Sequence, residues 1–259
     1  MTDIPKLSFA IFALHLFLAN FLFSQTPHDP KFERITIEHG LSQNSVRCIF
    51  QDSRGFLWVG TENGLNRYDG YDFKKFYHDP DDTTSLSNSF VWAILEDYTG
   101  TLWIGTVDGL NIFDRITEKF IILKHDPDYP MSLSSNYVRT IFEDSDSTLW
   151  IGTVNGLNRL DRENEEFAVY HRDANNPERT GENYILAIYE DRDHTLWIGT
   201  RGGLFEYDRA GDRLILSEYW EKAYPKYSSD VSMIFQDRHG ILWLGTWGSG
   251  TFTIDLHAG

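Results

Sequence analysis

Apolar and polar positions alternate along this chain in short bursts that recur in phase. One burst, Val46-Arg-Cys-Ile-Phe-Gln51, is followed by a polar turn and then by Leu57-Trp-Val-Gly-Thr61. A second turn at Gly64 leads into Leu65-Asn-Arg-Tyr-Asp69. The series returns at Val91, Val138, Ile185 and Val231, each twelve residues ahead of its tryptophan. Those tryptophans, Trp58, Trp103, Trp150, Trp197 and Trp243, stand 45 to 47 residues apart. A period in that range marks tandem repeats.

Runs of β-branched and aromatic residues bounded by Gly and Asp predict strands. Asp52, Asp97, Asp144, Asp191 and Asp237 open the first turn of each copy, where a carboxylate accepts backbone N–H groups. The fourth turn residue is Gly55, Gly100 or Gly240 in three copies, and Ser147 or His194 in the others. A further apolar piece closes each of four copies, at 73–77, 120–124, 167–171 and 214–219. Four strands per repeat is the content of one propeller blade. The expected fold is therefore all-β, a β-propeller of four-stranded antiparallel blades, with repeats over about 45–89, 90–136, 137–183, 184–229 and 230–259. Phe32-Glu-Arg-Ile-Thr-Ile37 reads as a spare outer strand, and the fifth copy ends its third strand at Asp255. Two arrangements suit this: a five-bladed ring closed by the strand at 32–37, or part of a larger, seven-bladed ring.

Ahead of the repeats, Lys6 precedes an almost unbroken apolar run from Leu7 to Phe23. Residues 1–24 read as a secretory signal peptide, cleaved after Ser24; the run is at the short limit for a membrane span, and an uncleaved anchor is the alternative. The propeller domain, 25–259, is then expected in the periplasm or outside the cell by a Sec-type route, its parent anchored in the inner membrane.

Charge narrows the partners. The net charge of −16 repels phosphate backbones and anionic headgroups, which excludes nucleic acid. The single cysteine, Cys48, excludes an intrachain disulfide. It replaces Ala93, Thr140, Ala187 and Met233 of the other copies and reads as packed core. The His-Asp-Pro triplets at His28, His78 and His125 lack metal-ligand spacing and read as turn entries. The acidic connectors, such as the one from Asp79 to Asn88, lack the order of a calcium loop, so no metal and no cofactor are expected. No catalytic residue is assigned, because the phase-locked aspartates recur in every copy and acid–base chemistry needs one unequal pair.

The five in-phase tryptophans read as keystones of the blades, whereas Trp92, Trp220 and Trp247 break the repeat. Departures from a repeat are where specificity can reside, since shared letters are committed to packing. In a propeller the starts of the first strands and the second turns gather at one mouth of the central channel. The candidate ligand-binding residues there are Arg47, Trp92 and Arg139 at strand starts, with Glu62, Asn63, Asp108, Asn155, Arg201 and Trp247 in the turns. Indoles stack on sugar faces, and guanidiniums bond hydroxyls or a uronic carboxylate.

The repeated L-W-[IV]-G-T-x-x-G-L-[NF]-x-[YFL]-D, preceded by I-[FYL]-[QE]-D, resembles the two-component regulator propeller repeat of the periplasmic sensor regions of hybrid two-component histidine kinases. The resemblance spans Val46 to Asp255. It implies a ligand-sensing ectodomain, typically for oligosaccharides, that signals to a histidine kinase; these 259 residues hold no kinase motif. Partners expected on this basis are an oligosaccharide or other small ligand, further blades and signalling domains of the same polypeptide, and a second copy in a homodimer. Two alternatives remain open: a stand-alone five-bladed lectin, and a secreted hydrolase or lyase.

Overall fold

The computed structural model describes residues 32–171, 183–223 and 230–256; the expected signal segment lies outside them. Residues from Thr36 onward form one unit, separate from the segment that ends at Ile35. In it, five antiparallel sheets follow one another in chain order. The first strands are Val46–Gln51, Val91–Glu96, Val138–Glu143, Ile185–Glu190 and Val231–Gln236. The second are Leu57–Thr61, Leu102–Thr106, Leu149–Thr153, Leu196–Thr200 and Ile241–Thr246, and the third are Gly64–Tyr68, Gly109–Asp114, Gly156–Asp161, Gly203–Asp208 and Thr251–Asp255. Outer strands at Phe73–Phe76, Lys119–Leu123, Glu166–Tyr170 and Arg213–Leu216 complete blades 1 to 4, while blade 5 has three strands among the described residues. First strands pack one against the next, on the inner side of the series.

The hydrophobic core lies between blades. Trp58 and Leu65 of blade 1 meet Val91, Ile94 and Leu102 of blade 2, and Trp150 and Leu157 of blade 3 meet Ile185, Ile188 and Leu196 of blade 4. Trp103 and Trp197 occupy the same place in the other two interfaces. The Gly of L-W-[IV]-G-T is required by this contact. A Cβ on Gly152 would stand 2.5 Å from Thr140 Cγ2 and 2.7 Å from Ile185 Cγ2, so only glycine lets the next first strand close in. At Gly245 of blade 5 the nearest atom is Met233 Cβ at 3.2 Å, with no following blade among the described residues. Gly152→Ala is expected to cost about 1–3 kcal/mol by overpacking, and Gly245→Ala well under that; urea midpoints of the two variants check it.

Blade faces without a neighbour among the described residues explain where the pattern of burial fails. Ile49 of blade 1 is 63% exposed, although its equivalents Ile94, Ile141, Ile188 and Ile234 are buried. At the other end Met233, Phe235 and Trp243 are exposed. The expectation that all five in-phase tryptophans are buried therefore needs correcting: Trp243 is 43% exposed and the other four at most 4%.

Two further expectations change, and the turn positions without glycine hold. Residues 32–36 carry no regular structure, and Ile37–His39 forms a 3-10 turn, so the strand expected over 32–37 is not formed. The turn's own capping explains this. Thr36 accepts from Glu38 N–H, Gly40 closes the turn at φ 103°, and Asn44 takes the Ile37 N–H that a ladder would need. A short helix, Glu218–Ala223, follows the outer strand of blade 4. It buries Trp220, whose indole lies against Gly203, so this departure from the repeat packs the core. Ser147 and His194 keep positive φ, 62° and 63°, where other copies use glycine.

Candidate functional site

The repeated polar letters form a framework behind the site. Asp52 accepts Arg54 and Phe56 N–H through one oxygen and the Trp58 indole N–H, at 2.9 Å, through the other. The same indole-to-carboxylate bond recurs at Asp97, Asp144, Asp191 and Asp237. An arginine of the following blade then reaches back. Arg115 holds Asp52 at 2.7 Å and Glu96 at 2.8 Å. Arg162 holds Asp97 and Glu143, and Arg209 holds Asp144 and Glu190. Burial pushes the Asp52 and Asp97 carboxyls up, but bonds from the indole, the arginine and backbone or threonine donors outweigh it and hold both below the usual carboxylate range. His78 and His125 bond the Leu86 and Leu133 carbonyls through their rings, which fits turn entries.

Each first strand carries a bulge at its second residue. Val46 pairs with Thr61 and Cys48 with Gly60, which leaves Arg47 unpaired. The skipped residues of the other blades are Trp92, Arg139, Leu186 and Ser232. A bulge re-aims its side chain, and here the first residue of the second turn is bonded alongside. Glu62, Val107, Val154, Arg201 and Trp247 donate their N–H to the residue that precedes each first strand, namely Ser45, Phe90, Tyr137, Tyr184 and Asp230.

Two adjoining clefts lie over these bulges. One, of about 410 Å³, runs past Arg47, Cys48, Trp92 and Arg139; the other, of about 610 Å³, past Trp92, Tyr137, Arg139, Tyr184, Arg201, Asp230 and Trp247. Arg139 lies 3.5 Å over the Trp92 ring and Arg47 4.9 Å, while Arg201 lies 3.9 Å over Tyr184. The Trp92 indole N–H donates to the Tyr137 hydroxyl at 3.0 Å. Burial, opposed by Tyr184 and Tyr137 and reinforced by the charges of Arg47 and Arg201, lowers the Arg139 guanidinium. Burial also pushes the Cys48 thiol up to about 12, which keeps it neutral.

Of the nine residues singled out in the sequence, the structure gathers Arg47, Trp92, Arg139, Arg201 and Trp247 along these clefts. Glu62 is tied to Arg47 by an ion pair. Asn63, Asp108 and Asn155 sit one position further round their turns and do not line the clefts. Asp108 bonds Lys124 and Asn136 instead, and Asn155 donates to the Ser134 carbonyl. Tyr137, Tyr184 and Asp230 also line the larger cleft and were not among the nine; the available signal was that they vary at the position directly ahead of each aligned first strand.

Five stretches match the family model for the two component regulator propeller, at residues 40–63, 85–108, 132–155, 181–202 and 228–248. A 56-residue segment, 22% of the chain, is 52% identical to Histidine kinase P4 of Formosa agariphila, covering 4% of that protein. The extracellular domain of a hybrid two component system from B. thetaiotaomicron superposes with a TM-score of 0.57 at 25% identity, over 86% of this chain and 35% of that one. Virginiamycin B lyase from Staphylococcus aureus, at a TM-score of 0.61 and 16% identity over 86% of this chain and 70% of its own, shares the propeller fold. The chain thus spans about a third of the solved ectodomain and a small part of the kinase. Among the described residues no helix is long and apolar enough to cross a membrane. With five in-phase copies of the repeat folded as successive blades, the chain belongs to the two-component regulator propeller family.

Proposed function

We propose that this chain is the extracytoplasmic ligand-sensing propeller of a two-component signalling protein, which takes an oligosaccharide at the bulge-lined mouth and passes the signal to a histidine kinase. The observation that carries this reading is the concentration of repeat-breaking residues at the bulges and adjoining turns. Aromatic faces and guanidiniums from several blades meet there, while the letters common to all copies are spent on packing. The relation to an extracellular domain of a hybrid system, and the apolar segment at 7–23, support an extracytoplasmic placement. Recognition is favoured over acid–base chemistry, because the nearest carboxylates, Glu62 and Asp230, each face an arginine.

The test is calorimetry against a panel of neutral and acidic oligosaccharides. Trp247 is 79% exposed, so Trp247→Ala removes a stacking face without opening the core. Affinity is expected to fall at least about tenfold, the loss of a stacking contact of ~1.4 kcal/mol or more, with the thermal midpoint unchanged. An unaltered affinity would remove Trp247 from the site.

A further inference from the structure

Arginines with a packing role in this fold are paired on both arms. Arg115, Arg162 and Arg209 each bridge two carboxylates. At the mouth the pattern breaks down by degrees. Arg47 has one carboxylate, Glu62, and Arg201 has Asp230 at 3.8 Å, too far for a hydrogen bond. Arg139 has neither an ion pair nor a hydrogen bond among the described residues, although the protein carries 39 acidic side chains. It is half-buried, lies flat over Trp92, and has the like charges of Arg47 and Arg201 for electrostatic neighbours. A half-buried cation with no counter-ion is costly to the fold unless something outside the fold compensates it.

Resting on the saccharide-sensing reading of the mouth, we propose that the ligand is an anionic saccharide and that Arg139 is the anchor for its carboxylate or sulfate group. Stacking on Trp92 holds the guanidinium plane and leaves its edge free to make two parallel bonds to a planar or tetrahedral anion. Tyr137, Tyr184 and Trp247 supply faces for the adjoining rings, and Arg47 and Arg201, on blades 1 and 4, stand ready for charges further along the chain. The larger cleft, about 610 Å³, accommodates several sugar rings rather than a lone ion.

The experiment is calorimetry on the intact chain with two matched pairs: hexagalacturonate against its methyl ester, and a sulfated galactan hexamer against its desulfated form. The expected result is at least tenfold tighter binding of the charged member in one pair, which also tells carboxylate from sulfate. Arg139→Gln should bring the charged member down to the affinity of the neutral one, and Arg139→Lys should fall between. Equal binding of charged and neutral members overturns the anion proposal and leaves saccharide sensing standing. Binding of none of the four overturns both. An Arg139→Gln protein that melts normally and keeps its charge preference overturns the assignment to Arg139. Should that variant fail to fold, the comparison within each pair on the wild type still decides whether charge is recognised.

Discussion

Replacing Trp150 with alanine is expected to destabilise the protein by about 3–5 kcal/mol, the usual cost of truncating a large buried aromatic. The same change at Trp243 should cost far less. Trp150 is 1% exposed, its indole N–H bonds Asp144 at 2.9 Å, and it lies edge-on to Tyr207 at 4.7 Å across the blade boundary. Burying an indole of that kind withdraws roughly 150–250 Å² from water, worth at most about 4–6 kcal/mol at ~25 cal/mol/Å². Its loss also leaves Asp144 short of a donor. Trp243 keeps the equivalent bond, to Asp237 at 2.9 Å, but one face is open to solvent. Urea unfolding of both variants, at matched m-values, gives the comparison. Equal destabilisation would mean that burial between blades is not what these indoles contribute.

The second large effect is expected at the clasp between blades 2 and 3. Arg162→Met leaves Asp97, whose side chain is fully buried, and Glu143 without their shared cation. Breaking a fully buried pair costs about 3–5 kcal/mol. Asp97 retains bonds from Trp103, Thr99 and Thr101, and Arg162 is itself partly exposed, so about 2–3 kcal/mol is expected here. The effect should depend on pH. Burial pushes the Asp97 carboxyl up, but its donors, Arg162 among them, hold it below the usual range. A carboxyl lowered by folding contributes stability that is complete above the ordinary carboxylate range, near pH 4, and lost as pH falls through its folded value. Burial raises Glu143, so it resists ionisation and gains from protonation. Both groups need Arg162 only while ionised. The gap between wild type and Arg162→Met should therefore be widest near pH 7 and narrow below about pH 4. Denaturant midpoints at pH 7 and pH 3 check this, and a constant gap would refute an ionic clasp.

Much of the architecture was legible because the repeat ties each residue type to one phase. The turn aspartates, the strand pieces and the burial of Trp58, Trp103, Trp150 and Trp197 all follow from letters that return every 45 to 47 residues. What was not legible depends on neighbours outside the local pattern. The dipeptides Asp114-Arg115, Asp161-Arg162 and Asp208-Arg209 stood in the sequence, but their role appears only when one blade lies against the previous one. Blades 1 and 5 have Gly70 and Leu256 at that place. The exposure of Trp243 likewise reflects that no further blade packs on it among the described residues, not its own segment. Asn63, Asp108 and Asn155 are the second residues of their turns, while the first residues are the ones bonded beside the bulges, a distinction that the apolar pattern does not mark.

The bulges have a consequence for how such proteins diversify. A residue skipped by the ladder faces no directly opposed residue on its partner strand, and at this mouth each blade supplies one: arginine, tryptophan, arginine, leucine and serine. Those letters can drift independently of the framework, as a combination lock changes its code while its barrel stays the same. New chemical preferences can then arise by single substitutions that leave folding almost untouched.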